Sequence, residues 1–369
     1  MSSTQNITES AIPPEEPIHT PAHLDGIAYL YGHPLLNSLS PPLHQAIYKA
    51  LGLNWSQIPL SSVIASADGK PATYPPPYTR SPPISKFLAA IRANPKFVGS
   101  SVTMPWKVNI MDHLDDLTED ARQAGACNTI FLRKDETTTG KVSYVGTNTD
   151  CNGIREALER NRLPTATGED PFRGKPALII GGGGTARTAV YVMRKWLGAS
   201  KVYIVNRDRA EVETIMKEDA RRNAGATGLA PLVHIADPAA AEGLEKPAAI
   251  VSGIPNYPPT TPAEVQAREV VRAFLGVGRE SSLAVSGDSY KGVILEMCYH
   301  PTPWTDIAHL ASGAGWKVVL GSEALFWQGL EQARLWTGRD IVGTPGVVDQ
   351  ARDVVDRSIA SRAPSKSNL

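Results

Sequence analysis

The chain has little cysteine, no net charge and no long apolar run. Its three cysteines, Cys127, Cys151 and Cys298, are odd in number and widely spaced, which fits a reducing compartment and excludes a disulfide framework or a zinc pattern. Lys and Arg together number 37, as do Asp and Glu, so no nucleic-acid partner is indicated. The eight histidines have no ligand spacing, so no metal site is predicted. Without a membrane-length apolar run, we expect a cytoplasmic protein.

Polar segments lie at both ends of the chain and once inside it. Residues 1–23 are rich in Pro, Glu, Ser and Thr and lack the basic and apolar parts of a secretory signal, so they predict a disordered tail. Residues 64–84 are rich in Pro, Ser and Tyr and predict an exposed loop. The final SRAPSKSNL predicts a frayed end.

Four consecutive glycines mark the start of the second half of the chain. They stand in PALIIGGGGTARTAVYVMRKWLGASKVYIVNR (176–207), between an apolar strand pattern and an apolar helix pattern. The run fits G-x-G-x-x-A through Gly181, Gly183 and Ala186. Such a turn lets backbone approach a phosphate at a helix N-terminus, although glycine turns also simply connect strands to helices. We predict a dinucleotide site here, because strand, turn, helix and second strand occur in order.

The segment that follows alternates strand and helix patterns. Strands are predicted at 177–180, 201–205, 248–251, 292–297 and 317–320. This alternation predicts a parallel sheet with right-handed crossovers.

The coenzyme choice depends on Asn206-Arg207-Asp208, which ends the second of these strands. An acidic residue here favours the ribose hydroxyls of NAD, and an arginine favours the extra phosphate of NADP. Asp208 is followed three residues later by Glu211, the spacing of a helix capping box. We therefore predict that Arg207 selects NADP and that Asp208 caps the next helix, with NAD as the alternative coenzyme.

Two serines precede the first predicted helix, in SLSP at 38–41. Ser40-Pro41 is typical of a helix start, with serine as the cap and proline in the first turn. Hydroxyls beside a helix N-terminus can also hold a carboxylate. The pattern leaves both interpretations open: a carboxylate site formed by Ser38 and Ser40, or a plain cap with a solvated neighbour.

Three further polar residues have two interpretations each. Lys107 is predicted in the first turn of a helix opened by Pro105, where a cation opposes the helix dipole, so it is either solvated or has another task. Asp150 precedes a helix pattern, as an N-cap or as a carboxylate in the cleft between the halves. Gln328 lies in an apolar helical segment and is either exposed or reaches a substrate hydroxyl.

Seven motifs occur in the order typical of shikimate dehydrogenases, which the chain resembles over about residues 26–340. They are SLSP-x-x-H (38–44), SVT-x-P-x-K (101–107), GACNT (125–129), GTNTD (146–150), the glycine turn (181–184), Tyr299-x-Pro301 and the helix from Gly321 to Gln328. This order is more specific than the glycine turn alone. SVT-x-P and CYHPTPWT are similar to fungal shikimate/quinate dehydrogenases and to the shikimate dehydrogenase part of fungal arom polypeptides.

The resemblance implies a two-domain α/β fold. It implies an N-terminal α/β substrate domain (24–149), a Rossmann-like NAD(P)-binding domain (150–320) and C-terminal helices (321–361) that return to the substrate domain. Lys107 and Asp150 would be the catalytic pair at the hydroxyl that is oxidised. The substrate would contact Ser38 and Ser40 with its carboxylate, Thr103, Asn128 and Gln328 with its ring hydroxyls, and Tyr299 near its carboxylate end. The coenzyme would contact Gly181, Gly182, Gly183, Gly184, Thr185, Asn206, Arg207, Met297 and Gly321.

Several positions depart from the bacterial pattern of this family. They are Ser101 for an asparagine, Asn37 for a histidine, Asp208 for a threonine, IVSGIP at 250–255 for a segment with Asn-Ala-Thr, and Glu296 for an aspartate. These changes keep open which ring acid is bound and whether NADP or NAD is used.

The sequence thus predicts an NADP-dependent shikimate dehydrogenase that also accepts quinate, and is a monomer or homodimer. Proton removal from a secondary alcohol needs a positioned base and a partner for its charge, which a lysine beside a carboxylate supplies. Two alternatives stay open: a non-catalytic sensor of quinate or shikimate, and a dehydrogenase of the same fold for another cyclic hydroxy acid. The retained Lys107 and Asp150 argue against the sensor.

Overall fold

A computed structural model describes residues 12–64, 77–134, 140–165, 167–277, 290–300 and 302–362. Several predicted features therefore lie outside the described residues: positions 1–11 of the N-terminal tail, 65–76 of the proline-rich loop, Pro301 and 363–369. Within the described ranges, no helix is both long enough and apolar enough to span a membrane.

The first half of the chain forms a mixed six-stranded sheet. Its strands are β1 (Gly26–Tyr31), β2 (Trp55–Pro59), β3 (Phe97–Val102), β4 (Asp116–Leu117), β5 (Thr129–Lys134) and β6 (Val142–Thr147). Its helices are α1 (Ser40–Ala50), α2 (Ile84–Ala93) and α3 (Glu119–Ala124), with a 3-10 turn at Asn109–His113. The strand order is β2-β1-β3-β5-β6-β4, and β5 pairs antiparallel with both β3 and β6.

The second half forms an all-parallel sheet. Its elements are α4 (Asp150–Glu159), β7 (Ala177–Ile180), α5 (Gly184–Tyr191), β8 (Val202–Val205), α6 (Arg209–Arg222), β9 (Leu232–His234), α7 (Pro238–Gly243), β10 (Ala249–Ser252), α8 (Pro262–Leu275), β11 (Val293–Glu296), α9 (Asp306–Gly313) and β12 (Lys317–Leu320). The order β12-β11-β10-β7-β8-β9 reverses at β7, where this class of sheet binds ligands beyond its strand ends. The five predicted strands are confirmed to within one or two residues at each end, and β9 is an additional one.

Two long helices, α10 (Gly321–Thr337) and α11 (Val347–Ala360), return to the first half of the chain. Leu39, Leu43 and Ile47 near α1 form one buried cluster with Phe326 of α10 and Val355 of α11. The predicted α/β fold with returning C-terminal helices is therefore confirmed.

Two local predictions were wrong. Pro105 does not open a helix: residues 104–108 form turns, so Lys107 does not oppose a helix dipole. The sequence of 115–125, DDLTEDARQAG, also predicts a helix, but the helix begins only at Glu119, because Thr118 caps it with a hydrogen bond from the Ala121 N–H. Asp116 and Leu117 instead pair with β6.

The helices α4 and α10 cross in close contact at Gly153. A Cβ atom built on Gly153 would lie 2.4 Å from the backbone oxygen of Ala324. The absence of a side chain at this position lets the two helices approach, and α4 carries Asp150 while α10 carries Gln328.

We expect Gly153→Ala to lower the free energy of unfolding by about 1–3 kcal/mol, because the new methyl group would collide with rigid backbone. The matched control is Gly313→Ala in α9, where no atom lies within 4 Å of the built Cβ. That control should be neutral or stabilising by less than about 1 kcal/mol. Urea unfolding of both variants checks this, and equal stability of the two would contradict the close-contact argument.

Candidate active site

A cleft between the two sheets contains two neighbouring cavities. The first, of about 230 Å³, brings together residues from both halves of the chain. The predicted site residues that line it are Ser38, Ser40, Thr103, Lys107, Asn128, Asp150, Thr185, Met297, Tyr299, Gly321 and Gln328. The second, of about 410 Å³, is lined by Gly182, Gly183, Asn206 and Arg207. Met104 and Tyr257 line both cavities, so the two are contiguous.

Lys107 and Asp150 form an ion pair at the centre of the first cavity. Lys107 Nζ lies 2.5 Å from Asp150 Oδ2, and their side chains are 16% and 10% exposed. Asp150 is the first residue of α4 and does not cap it; the capping position is Thr149. Lys107 is therefore not a solvated surface group, and Asp150 is not an N-cap. The interpretation of each residue without a role in the cleft is excluded.

The glycine turn lies directly against Lys107. A Cβ atom on Gly184 would lie 3.2 Å from the Cβ and 3.3 Å from the Cδ of Lys107. The Lys107 backbone is fixed from its own half, because its carbonyl accepts a hydrogen bond of 2.7 Å from the Cys127 N–H. The charged Lys107 side chain therefore lies beside the glycine turn, where β7 leads into α5.

Three polar side chains beside the ion pair form a connected set. Asn128 Nδ2 donates to Thr149 Oγ1 at 3.0 Å and to Gln328 Oε1 at 3.2 Å. Asn128 Oδ1 accepts from the Thr149 N–H at 2.7 Å. Gln328 is 6% exposed, so it is buried against the cavity and is not a surface residue. These amide groups are oriented by the protein itself and can exchange hydrogen bonds with ligand hydroxyls.

The two serines also line the first cavity. Helix α1 begins at Ser40 itself, and the capping position is Leu39, so Ser40 is not its cap. The Ser40 N–H donates to Ser38 Oγ at 3.2 Å, and Ser40 Oγ donates to Gln57 Oε1 at 2.8 Å. The cap interpretation of Ser40 was therefore wrong, and both hydroxyls border the cavity.

A buried polar network joins these residues, and two of its members, Ser101 and Gln332, also line the first cavity. The sequence analysis did not identify Gln57 and Gln332. Gln57 Nε2 donates to Ser101 Oγ at 2.8 Å, and Ser101 Oγ donates to Gln332 Oε1 at 2.9 Å. His44 Nε2 lies 3.0 Å from the same Gln332 oxygen. Burial lowers the pKa of His44 to about 4, so the imidazole is neutral at neutral pH. The available signal was the spacing of Gln328 and Gln332, four residues apart on one helix face.

Gly182 and Gly183 of the glycine turn line the second cavity, whereas Gly181 and Gly184 line neither cavity. Gly181 has φ +131°, in the region that favours glycine. A Cβ on Gly182 would collide at 2.3 Å with both Asn206 Nδ2 and Glu211 Oε2. Gly321 is closed to side chains as well, because its Cβ would lie 2.2 Å from the Met297 backbone oxygen. The turn thus presents bare backbone to the cleft, as a phosphate site requires.

The residues that follow β8 form one contact that the sequence predicted and two that it did not. Asp208 caps α6 as predicted, accepting from the Ala210 N–H at 2.8 Å. Glu211 does not complete a capping box and accepts from Asn206 Nδ2 at 2.6 Å. Arg207 forms an ion pair with Glu264 of α8. Two carboxylates, Glu211 and Glu264, therefore line the cavity at this end.

Glu296 is a buried carboxyl group at the end of β11. It is 1% exposed and lies in register with Ser252 of β10. Its Oε1 accepts from the Cys298 N–H at 3.2 Å, whereas its Oε2 has no hydrogen-bond partner among the described residues. Burial raises the pKa of Glu296 to about 8, and the hydrogen bond from the Cys298 N–H and the charge of Arg268 oppose this rise. The group is therefore protonated at neutral pH.

We expect Glu296 to make the protein less stable as the pH rises. Between about pH 4.5 and pH 8 the folded state holds a proton that the unfolded state has lost, so stability falls across this window by on the order of 4 kcal/mol. Glu296→Gln keeps the shape without the titration, so the difference in stability between variant and wild type should grow from pH 5 to pH 8. Urea unfolding at both pH values measures it, and a constant difference would be the contrary result.

No metal is suggested by the arrangement of donors. Within the ranges that the structure describes, no three His, Cys, Asp or Glu side chains come together as metal ligands would.

Comparison with known proteins bears on the whole chain. A family model described as the shikimate dehydrogenase substrate binding domain matches residues 30–130. Quinate dehydrogenase of Emericella nidulans is 62% identical over 96% of this chain and 100% of that protein.

Solved structures agree in fold. The dehydroquinate dehydratase and shikimate dehydrogenase of S. pombe AroM is 27% identical, with a TM-score of 0.60 over 90% of this chain and 53% of that chain. Shikimate 5-dehydrogenase of Thermus thermophilus, described in complex with NADP(H) and shikimate, is 23% identical, with a TM-score of 0.58 over 90% of this chain and 99% of that one. The second of these shows the fold alone. With the near full-length relative, the findings establish that the chain belongs to the shikimate/quinate dehydrogenase family.

Proposed function

We propose that the chain oxidises a secondary hydroxyl of quinate, and also of shikimate, with a nicotinamide dinucleotide as hydride acceptor. The observation that carries the proposal is the Lys107–Asp150 ion pair, placed between buried amide groups and the glycine turn. The relative named quinate dehydrogenase supports quinate as the first substrate to test. The retained pair argues for an enzyme rather than a sensor.

The two ends of the first cavity suit the two ends of such a substrate. Ser38, Ser40 and Tyr299 would hold the carboxylate with hydroxyl groups. Thr103, Asn128 and Gln328 would hold the ring hydroxyls. Asn128 is already fixed by Thr149, so it would lose little conformational freedom on binding.

The ion pair would handle the proton of the reacting hydroxyl. The bound coenzyme supplies an acceptor for the hydride that leaves the ring carbon. As the carbonyl forms, Lys107 in its neutral amine form would receive the hydroxyl proton, and Asp150 would hold the resulting ammonium in place. Because Lys107 Nζ and Asp150 Oδ2 are only 2.5 Å apart, the two groups form one unit in which the carboxylate balances the charge of the ammonium. In the reverse direction the same unit protonates the alkoxide oxygen.

The second cavity would hold the adenosine end of the coenzyme, and Gly182 and Gly183 would face its phosphates. Thr185, Met297 and Gly321 line the first cavity, where the nicotinamide would lie. The relative bound to NADP(H) supports NADP in this fold. Arg207 could bind the extra phosphate of NADP only by leaving Glu264, whereas Glu211 and Glu264 both suit the ribose hydroxyls of NAD. We propose that both coenzymes bind, with NAD favoured by these carboxylates.

Loss of the ion pair should abolish most of the turnover. We expect Lys107→Met and Asp150→Asn each to lower kcat by about 10²–10⁴-fold, because proton transfer loses its acceptor or that acceptor loses its partner. The matched control is Lys49→Met, which changes an exposed lysine of α1. Absorbance of the reduced coenzyme measures turnover on quinate and shikimate with NAD and NADP, and circular dichroism verifies folding. Near-normal kcat of folded Lys107→Met would refute the proposed mechanism.

Coenzyme choice should shift in opposite directions in two variants. We expect Arg207→Gln to lower the ratio of kcat/KM for NADP to that for NAD by about tenfold, because the phosphate loses its cation. Glu264→Gln should raise the same ratio by about tenfold, since it frees Arg207 and removes a repelling charge. Glutamine still fits the capping box that Glu264 forms with Thr261. Steady-state kinetics measure this ratio of kcat/KM values in both variants. Shifts in the same direction would contradict the role of Arg207 and Glu264 in coenzyme selection.

A further inference from the structure

We propose that Arg362, beyond the C-terminal end of α11, is a positioning residue that holds the substrate carboxylate electrostatically through Tyr299. The proposal rests on the proposed function, because it concerns the acid that the first cavity binds. It assigns a role to a residue outside every motif of the sequence.

The carboxylate end of the cavity is otherwise built from neutral groups. Ser38, Ser40 and Tyr299 supply hydroxyls. Burial lowers the pKa of His300 and thus favours its neutral form. Among the described residues that line the cavity, Lys107 is the only lysine or arginine, and Asp150 neutralises it. A substrate anion that enters the cavity would therefore meet no unpaired positive charge among the described residues that line it.

Arg362 supplies such a charge from behind this lining. Its Nη1 is fully buried and has no hydrogen-bond partner among the described residues. In the same part of the chain, no Asp or Glu forms an ion pair with it. A buried guanidinium nitrogen without a partner is unfavourable, so a nearby anion would stabilise this arrangement.

Tyr299 connects Arg362 with the serines. Burial raises the pKa of Tyr299, while hydrogen bonds from Leu39 and Ser38 and the positive charge of Arg362 act against this rise. Tyr299 also packs in the apolar cluster that contains Leu39 and Ile359, and the Arg362 N–H donates to the Ile359 oxygen, so Arg362 follows the part of α11 that packs with Tyr299. The charge of Arg362 also contributes, after burial, to the lowered pKa of His300.

The position of Arg362 is fixed by the packing of α11. Arg352 of α11 donates to Glu323 of α10 at 2.5 and 3.0 Å. Val355 and Ile359 pack in the cluster that also contains Tyr299. The Arg362 N–H donates to the Ile359 oxygen at 3.0 Å in the turn that ends α11. The backbone of Arg362 is thus placed next to the cluster that contains Tyr299 by a packed helix, as an electrostatic role requires.

The experiment compares Arg362→Gln, Arg362→Lys and a matched control in the full-length protein. The control is Arg357→Gln, an exposed arginine on the same helix. We expect Arg362→Gln to raise KM for quinate and shikimate about tenfold with kcat within about twofold, because the lost attraction acts on binding. Arg362→Lys should restore most of the affinity, and Arg357→Gln should leave KM within about twofold of wild type.

A neutral substrate separates charge from structure. The methyl ester of the same acid lacks the negative charge, so Arg362→Gln should change its kcat/KM by less than about twofold. An unchanged KM for the acid, or an equal loss for acid and ester, would overturn the proposal. Wild-type protein without dehydrogenase activity would instead refute the proposed function, so the two failures are distinguishable.

Discussion

The ion pair between Lys107 and Asp150 is the constraint on which the rest of the site depends. The two residues come from different parts of the chain, one from a turn after β3 and the other from the first turn of α4. Partly buried charges are stable only when paired, so the turn and the helix must be held in one relative position. The surrounding packing does this: α4 lies against α10 at Gly153, and the glycine turn lies against the stem of Lys107.

Around this pair the site is almost entirely uncharged. Hydroxyl and amide groups of Ser40, Gln57, Ser101 and Gln332 form a chain of hydrogen bonds under the cavity. A network of this kind orients its surface members without the desolvation cost of extra buried ions. The cavity is therefore polar enough for a hydroxylated ring, while Lys107 and Asp150 supply its charged groups.

The sequence predicted the second half of the fold well, because its strands are short apolar runs separated by helix patterns and a glycine turn. It predicted the first half less well. Local propensity placed a helix after Pro105 and another from 115, whereas the turns around Lys107 and the pairing of Asp116 with β6 depend on tertiary contacts.

The sequence likewise predicted some of the site residues and their contacts but not others. Motif order identified the residues that line the first cavity, and the structure brings them together. Arg207 lies just before α6, and Glu264 lies in α8, 57 positions later in the chain. No local sequence pattern could therefore indicate this ion pair. Likewise, Ser40 resembled a cap in sequence, but the register of α1 makes it the first helical residue. Their roles in binding and catalysis stay predictions.

The returning helices have a consequence for how the chain folds during synthesis. The apolar face of α1 is covered by α10 and α11, which lie about three hundred residues later. Until the ribosome has released those helices, Leu43 and Ile47 lack most of their native packing partners, although β1 to β6 are already complete. The first half thus waits with an exposed apolar surface while the parallel sheet forms, an interval in which chaperone capture competes with aggregation.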